Sequence, residues 1–323
     1  MFEKVLIPTD FSRYTSKMAE CVTEIPGTRE VVLLNVLDAS NPKLLEKSGW
    51  SYDAIISEAA FRLNEEAKLI ASNTYKKEAS LMVKPILKVI VEPMSGADGV
   101  NLKAPEPRQD ADFVYGGTVG DAIQKTACEE NVSLIIMGAQ GKGMLEGMLL
   151  GSVSTEVLRQ GETDLLILRH KMLEKGKEAN KERFCPDIFS RILVTTDLSA
   201  AAEDAIGLAG ELEGTKEILL AHVISKEEEF DRAAEKLNLM RRDLEQPGRM
   251  VTVHILKGKP ADQILELAKK HDASLLIFSS QGKGWIKQMR LGSTSFDVVR
   301  RSDRPVLVVR QKKGLSRAQI TDR

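Results

Sequence analysis

The 323-residue sequence has little of what marks several large protein classes. Its three cysteines, Cys21, Cys128 and Cys185, lie far apart with no C-x-x-C pair. That spacing argues against a zinc site or a disulfide framework and suits a reducing compartment. Four scattered histidines, His170, His222, His254 and His271, form no H-E-x-x-H metal motif. No apolar run approaches the roughly 18 residues a spanning helix needs. The N-terminal MFEKVLIPTDFS places an acidic residue and a proline in its short apolar stretch, so it reads as a first strand and not a signal peptide. Charge of one sign is missing too: 46 basic residues face 47 acidic ones, for a net charge of −1. That balance offers no general attraction to nucleic acid or to a membrane surface. A hydrophobic content of 42% with 29% charged residues is that of a soluble globular chain, and a cytoplasmic location is expected. Walker A is absent, because Gly141-Lys142 is followed by Gly143 and not by Ser or Thr.

What is present is an internal duplication. Ser133–His170 aligns without gaps on Ser274–Gln311, identical at sixteen of thirty-eight positions. Gln140-Gly141-Lys142-Gly143 recurs as Gln281-Gly282-Lys283-Gly284, and Leu150-Gly151-Ser152 as Leu291-Gly292-Ser293. The opening Val5-Leu6-Ile7-Pro8-Thr9-Asp10-Phe11-Ser12 returns as Ile192-Leu193-Val194-Thr195-Thr196-Asp197-Leu198-Ser199. The expected organisation is a first domain over 1–170 and a Lys/Glu-rich linker over 171–190. A second domain over 191–311 and a polar tail over 312–323 follow. Only the first half carries 93–112, a breaker-rich stretch without period that reads as an insertion loop.

Within each half, short apolar runs alternate with helical periodicity. Val5–Ile7, Val31–Val36, Leu134–Met137 and Leu165–Leu168 read as parallel strands buried on both faces. Their counterparts are Ile192–Val194, Ile218–Val223, Leu275–Phe278 and Val306–Val309, with Val251–Leu256 as one more. Ile55, Ala59, Leu63, Ala67 and Ile70 mark a helix in the first half, and Phe230, Ala233, Ala234, Leu237 and Leu244 one in the second. The fold class is therefore α/β, two tandem doubly wound parallel sheets. Such sheets bind ligands beyond the carboxyl ends of their strands, where the strand order reverses.

The chemistry concentrates in Gly138-Ala-Gln-Gly141, followed nine residues later by Gly151-Ser152. Gly138 closes a strand where a Cβ would crowd the crevice, and Gly141 lets main-chain amides come close to an anion. Gly151 and Ser152 open a helix and offer a phosphate its unpaired amides, its positive dipole end and a hydroxyl. Lys142 sits where its charge could reach phosphate oxygens, or could simply be solvated.

This G-x2-G-x9-G-[ST] spacing, paired with V-L-I-P-T-D-F-S and a closing apolar strand in each half, resembles the universal stress protein family. The resemblance implies five-stranded sheets of the adenine nucleotide alpha hydrolase type. In the ATP-binding branch of that family, the matching positions are Asp10 with Pro8 and Thr9 beside the nucleotide, and Val36 main chain against adenine. Met137, Gly138, Gly141, Lys142, Gly151, Ser152, Val153 and Ser154 surround the ribose and phosphates. The second half matches at Thr196, Asp197, Val223, Gly282, Gly292, Ser293 and Ser295, but Ser279 replaces the first glycine and Thr195 the proline. Those replacements predict weaker binding there, or a smaller ligand such as AMP. Single-domain members of the family pair through the last strand, which implies an intramolecular pseudo-dimer here and leaves a further homodimer open.

The function expected is an adenine-nucleotide module for stress response or signalling, holding ATP, ADP or AMP and answering to a protein partner. One alternative is a slow ATPase in which Asp10 holds Mg2+ or polarises water. The other is a scaffold for partner proteins that binds no nucleotide. No second carboxylate, arginine finger or positioned histidine can be named for efficient hydrolysis.

Overall fold

A computed structural model of the protein describes residues 1–12, 15, 18, 21–40, 51–73, 81–91, 108–139, 150–169, 187–282 and 291–311. The chain forms two compact units, Phe2–Ile135 and Ile136–Arg323. Gly141, Lys142, the core of the insertion (93–107), most of the linker (171–186) and the tail (312–323) lie outside the described residues.

The first unit contains β1 (Lys4–Pro8), β2 (Glu30–Asp38), α1 (Tyr52–Asn73), β3 (Met82–Val91), β4 (Asp112–Tyr115), α2 (Val119–Glu129) and the start of β5 (Leu134–Gly138). Its strands lie in the order β4-β3-β2-β1-β5, all parallel. Val5, Leu6 and Ile7, with Val31 to Leu34, are fully buried, as continuously apolar central strands require. α2 begins at a capping box: Thr118 Oγ1 accepts from Asp121 N, and Asp121 Oδ2 accepts from Thr118 N. At the amino ends of the strands, Lys4 bridges Glu30 and Glu130, while Lys84 adds a second ammonium to Glu130.

The second unit contains α3 (Ser152–Gln160), β6 (Asp164–Leu168), β7 (Arg191–Thr195), α4 (Ala200–Glu211), β8 (Glu217–Ile224) and α5 (Phe230–Leu244). It continues through β9 (Met250–Lys257), α6 (Pro260–Lys270), β10 (Leu275–Ser279), α7 (Ser293–Arg301) and β11 (Val306–Val309). The strand order is β6-β11-β10-β7-β8-β9. All neighbours from β11 to β9 are parallel; β6 and β11 run antiparallel, with Leu166 opposite Leu307. The closing strands of the two repeats are thus hydrogen-bonded to each other.

Two strands differ from the sequence reading. β3 was not expected, because Pro85 interrupts an otherwise alternating run. Pro85 lies ahead of the Lys88–Val91 stretch that pairs with β4, so its missing amide falls outside that ladder. β4 is a sixth strand in the first repeat, and it begins at Asp112, the last residue of the expected insertion loop. Cys21 is disulfide-bonded, against the expectation from spacing, whereas Cys128 is a free, exposed thiol. Sequence separation sets no limit on closeness in space.

Candidate functional site

In both repeats the backbone leaves the first strand through the same construction. Thr9 Oγ1 accepts from Phe11 N at 3.0 Å and Asp10 Oδ1 from Ser12 N at 3.0 Å. In the second repeat, Thr196 Oγ1 accepts from Leu198 N at 2.9 Å and Asp197 Oδ1 from Ser199 N at 3.0 Å. Between each pair the chain enters the left-handed region, at Phe11 (φ 57°) and Leu198 (φ 62°). A bulky residue adopts that conformation at a cost, so it persists only where surrounding contacts over-determine it, typically beside a functional site. The T-D-[FL]-S string encodes this through side chains that bond amides two residues on. The first repeat adds Glu66, whose Oε2 accepts from Thr9 Oγ1 at 2.8 Å; sequence reasoning had no signal for it.

The helix starts are also repeated. Gly151 N donates to Ala139 O and Gly292 N to Ser280 O, both at 2.8 Å. Ser154 Oγ donates to Gly138 O at 2.8 Å and Ser295 Oγ to Ser279 O at 3.0 Å. These serines tie the first turn of α3 and of α7 to the end of the preceding strand. Each helix is capped by a glycine in extended conformation with no side-chain cap, so its first amides remain available to an outside acceptor.

In the second unit these parts enclose a cavity of about 790 Å3 at the point where the strand order reverses between β7 and β10. Thr196, Asp197, Val223, Gly282, Gly292, Ser293 and Ser295 all line it, so the structure brings together every second-repeat position expected from sequence. Ser279 also lines the cavity without closing it. Ala233 of α5, Pro260 and Ile264 of α6, and Phe278 of β10 supply an apolar wall; the start of α7 supplies the polar end. Gly282 has a specific reason to lack a side chain, since a Cβ there would stand 2.4 Å from Asp197 Oδ2.

Three polar residues among those not anticipated bear on the chemistry. His222 is buried, and its Nδ1 lies 2.7 Å from Thr196 O. A carbonyl can only accept, so Nδ1 carries the hydrogen. Asn35 holds the matching place in the first repeat and donates from Nδ2 to Thr9 O at 2.8 Å. Arg232 and Lys236 of α5 also line the cavity. The signal for them was their spacing of one helical turn on a helix already recognised.

The first-repeat positions fall in both compact units. Pro8, Thr9, Asp10 and Val36 belong to the first, where Pro8 ends β1 and Val36 pairs with Lys88. Met137, Gly138, Gly151, Ser152, Val153 and Ser154 belong to the second, at the end of β5 and the start of α3. Among the described residues, no group of three or more His, Cys, Asp or Glu could hold a metal ion. None of the described helices is long and apolar enough to cross a membrane.

The sequence profile described as "Universal stress protein family" matches residues 1–169 and 189–310. Universal stress protein MJ0577 of Methanocaldococcus jannaschii is 28% identical over 157 residues, covering 39% of this chain and 97% of that protein. Universal stress protein MT2052 of Mycobacterium tuberculosis is 23% identical over 305 residues, 86% of each protein. The crystal structure of a universal stress protein from Archaeoglobus fulgidus superposes with a TM-score of 0.65, at 26% identity, over 96% of this chain and 97% of that one. A putative universal stress protein from Pseudomonas aeruginosa shares the fold at 15% identity, with a TM-score of 0.55 over 96% of this chain and 93% of its own.

Proposed function

This chain belongs to the universal stress protein family, and from that premise we propose that it is an adenine-nucleotide-binding module of a stress response, with one site in each repeat. The observation that carries the reading is the second-repeat cavity, where an apolar slot and the unpaired amides of a helix start share one enclosure at a strand-order reversal. The base would lie against Val223, Ala233, Pro260 and Ile264. The phosphates would take the amides of Ser293 and its neighbours, with Gly282 keeping the approach open. The first repeat repeats the helix start at Gly151 and Ser152 and keeps glycine at 138 and 141, so it is the tighter site; Ser279 makes the second the weaker. Mg2+ would enter with a polyphosphate, beside Asp10 or Asp197. The module would act in the cytoplasm by presenting a nucleotide-dependent surface to a protein partner.

Acid extraction of protein purified without added ligand, followed by chromatography for adenine nucleotides, tests the reading. Calorimetric titration with ATP, ADP and AMP then counts sites, with two per chain of unequal affinity expected. An extract free of nucleotide together with no binding heat for any of the three would overturn it. Phosphate release from ATP near one per second would replace the module with an enzyme.

A further inference from the structure

We infer that Arg232 and Lys236 make the second-repeat cavity read the negative charge of its ligand, so that it takes adenine nucleoside di- and triphosphates in preference to the monophosphate. The inference rests on the nucleotide reading above and deepens it. Both cations project from successive turns of α5 and line the same cavity as the start of α7. The cavity therefore has two positive features, a helix dipole end and a pair of side-chain charges. Its two carboxylates are already tied to backbone amides: Glu229 Oε2 accepts from Ser225 N at 2.9 Å, and Asp197 Oδ1 from Ser199 N at 3.0 Å. Among the described residues, neither Arg232 nor Lys236 is held in a salt bridge.

A monophosphate can be satisfied by the helix start alone. Each further phosphate adds charge, and long, mobile cations are suited to meet it. The helix after β2 in the first repeat is arranged differently. There α1 turns Glu66 onto Thr9, and Arg62 lies 4.5 Å from the ring centroid of Phe11.

The test uses the full chain carrying Gly151→Val, which blocks the helix start of the first repeat, titrated with ATP and with AMP in magnesium-free buffer. Adding Arg232→Gln and Lys236→Gln is expected to weaken ATP about tenfold and AMP by no more than about threefold, a few-fold per exposed charge pair. The charge-keeping Arg232→Lys with Lys236→Arg should retain most of the ATP preference, and thermal melting checks that each variant is folded. Equal losses for ATP and AMP, or no loss for either, would overturn the inference while leaving nucleotide binding in place. If the Gly151→Val chain binds no adenine nucleotide before α5 is touched, the reading beneath it falls as well.

Discussion

Arg169 donates from Nη2 to the carbonyl oxygen of Val299, and Arg310, its counterpart 141 residues on, donates from Nη2 to the carbonyl of Leu158 at 2.5 Å. Val299 and Leu158 are themselves counterparts, each in the last turn of a glycine-loop helix, α7 and α3. Each arginine of a closing strand thus caps the C-terminus of the other repeat's helix, where backbone carbonyls lack partners and the dipole favours a cation. Arg159 adds to the link, its guanidinium 4.6 Å from the ring centroid of Phe296. Burial pushes Arg169 down to about 10, still charged at neutral pH.

Replacing either arginine by methionine keeps the apolar stem but strands a buried carbonyl. We expect Arg169→Met and Arg310→Met each to cost about 1–3 kcal/mol, a hydrogen bond to a charged donor. Urea denaturation measures this; two variants as stable as the parent would show that desolvating the guanidinium cancels the cap.

Gly282 and Gly292 should respond differently to alanine. A Cβ at Gly282 meets Asp197 Oδ2 at 2.4 Å and must displace that carboxylate, whereas a Cβ at Gly292 meets nothing nearer than Ser280 O at 3.7 Å. Gly292→Ala should cost only the difference in cap preference, about 0.5–1 kcal/mol. Gly282→Ala should leave the fold intact and reduce ATP affinity about tenfold by moving Asp197 into the approach. Affinities and melting temperatures measured side by side decide it, and equal effects at the two positions would contradict the geometry.

His254 ties stability to pH. Burial first, then the neighbouring His271 and Lys270, hold its imidazole below the ordinary 6.5, with Glu217 opposing weakly. The unfolded chain therefore takes up a proton more readily than the folded one. The contribution to stability is complete above pH 6.5 and is lost as pH falls through the lower folded value. The melting temperature should drop between pH 7.5 and 5.5, and His254→Gln should flatten that part of the profile. An unchanged slope in the variant would assign the drop to other groups.

Glu130 acts in a more acidic window. Hydrogen bonds from Lys4 and then Lys84 hold its carboxyl below the usual 4.5, outweighing the opposing effect of burial. Its contribution is present above that value and disappears as pH falls through the lowered one. Glu130→Gln should cost about 1 kcal/mol at pH 7 and almost nothing near pH 3, read by denaturant titration at both.

Much of the fold was legible because a parallel strand buried on both faces must be continuously apolar. β1, β2, β5 to β8, β10 and β11 announce themselves in that way. β3 escaped because Pro85, with Lys84 and Lys88 on either side, imitates a surface loop, although the stretch Lys88–Val91 pairs with the short β4. The helix starts at Gly151 and Gly292 were readable because a glycine-serine pair after a loop has few other uses. Thr9, Asp10, Thr196 and Asp197 were picked out as positions. The left-handed turn at Phe11 and Leu198 that they stabilise was not, since nothing in a phenylalanine or a leucine requests that conformation.

The sequence alone determined the duplication, the parallel α/β class and the second-repeat positions that line one cavity, because each depends on local periodicity and on backbone freedom that only glycine supplies. Tertiary structure decided what stands beside them. It set Arg232 and Lys236 over the second cavity, turned Glu66 onto Thr9, placed Asp197 against Gly282 and crossed Arg169 and Arg310 between the repeats. Those contacts join residues tens to more than a hundred positions apart, and only the packing of helices on a sheet sets which long side chains reach one another.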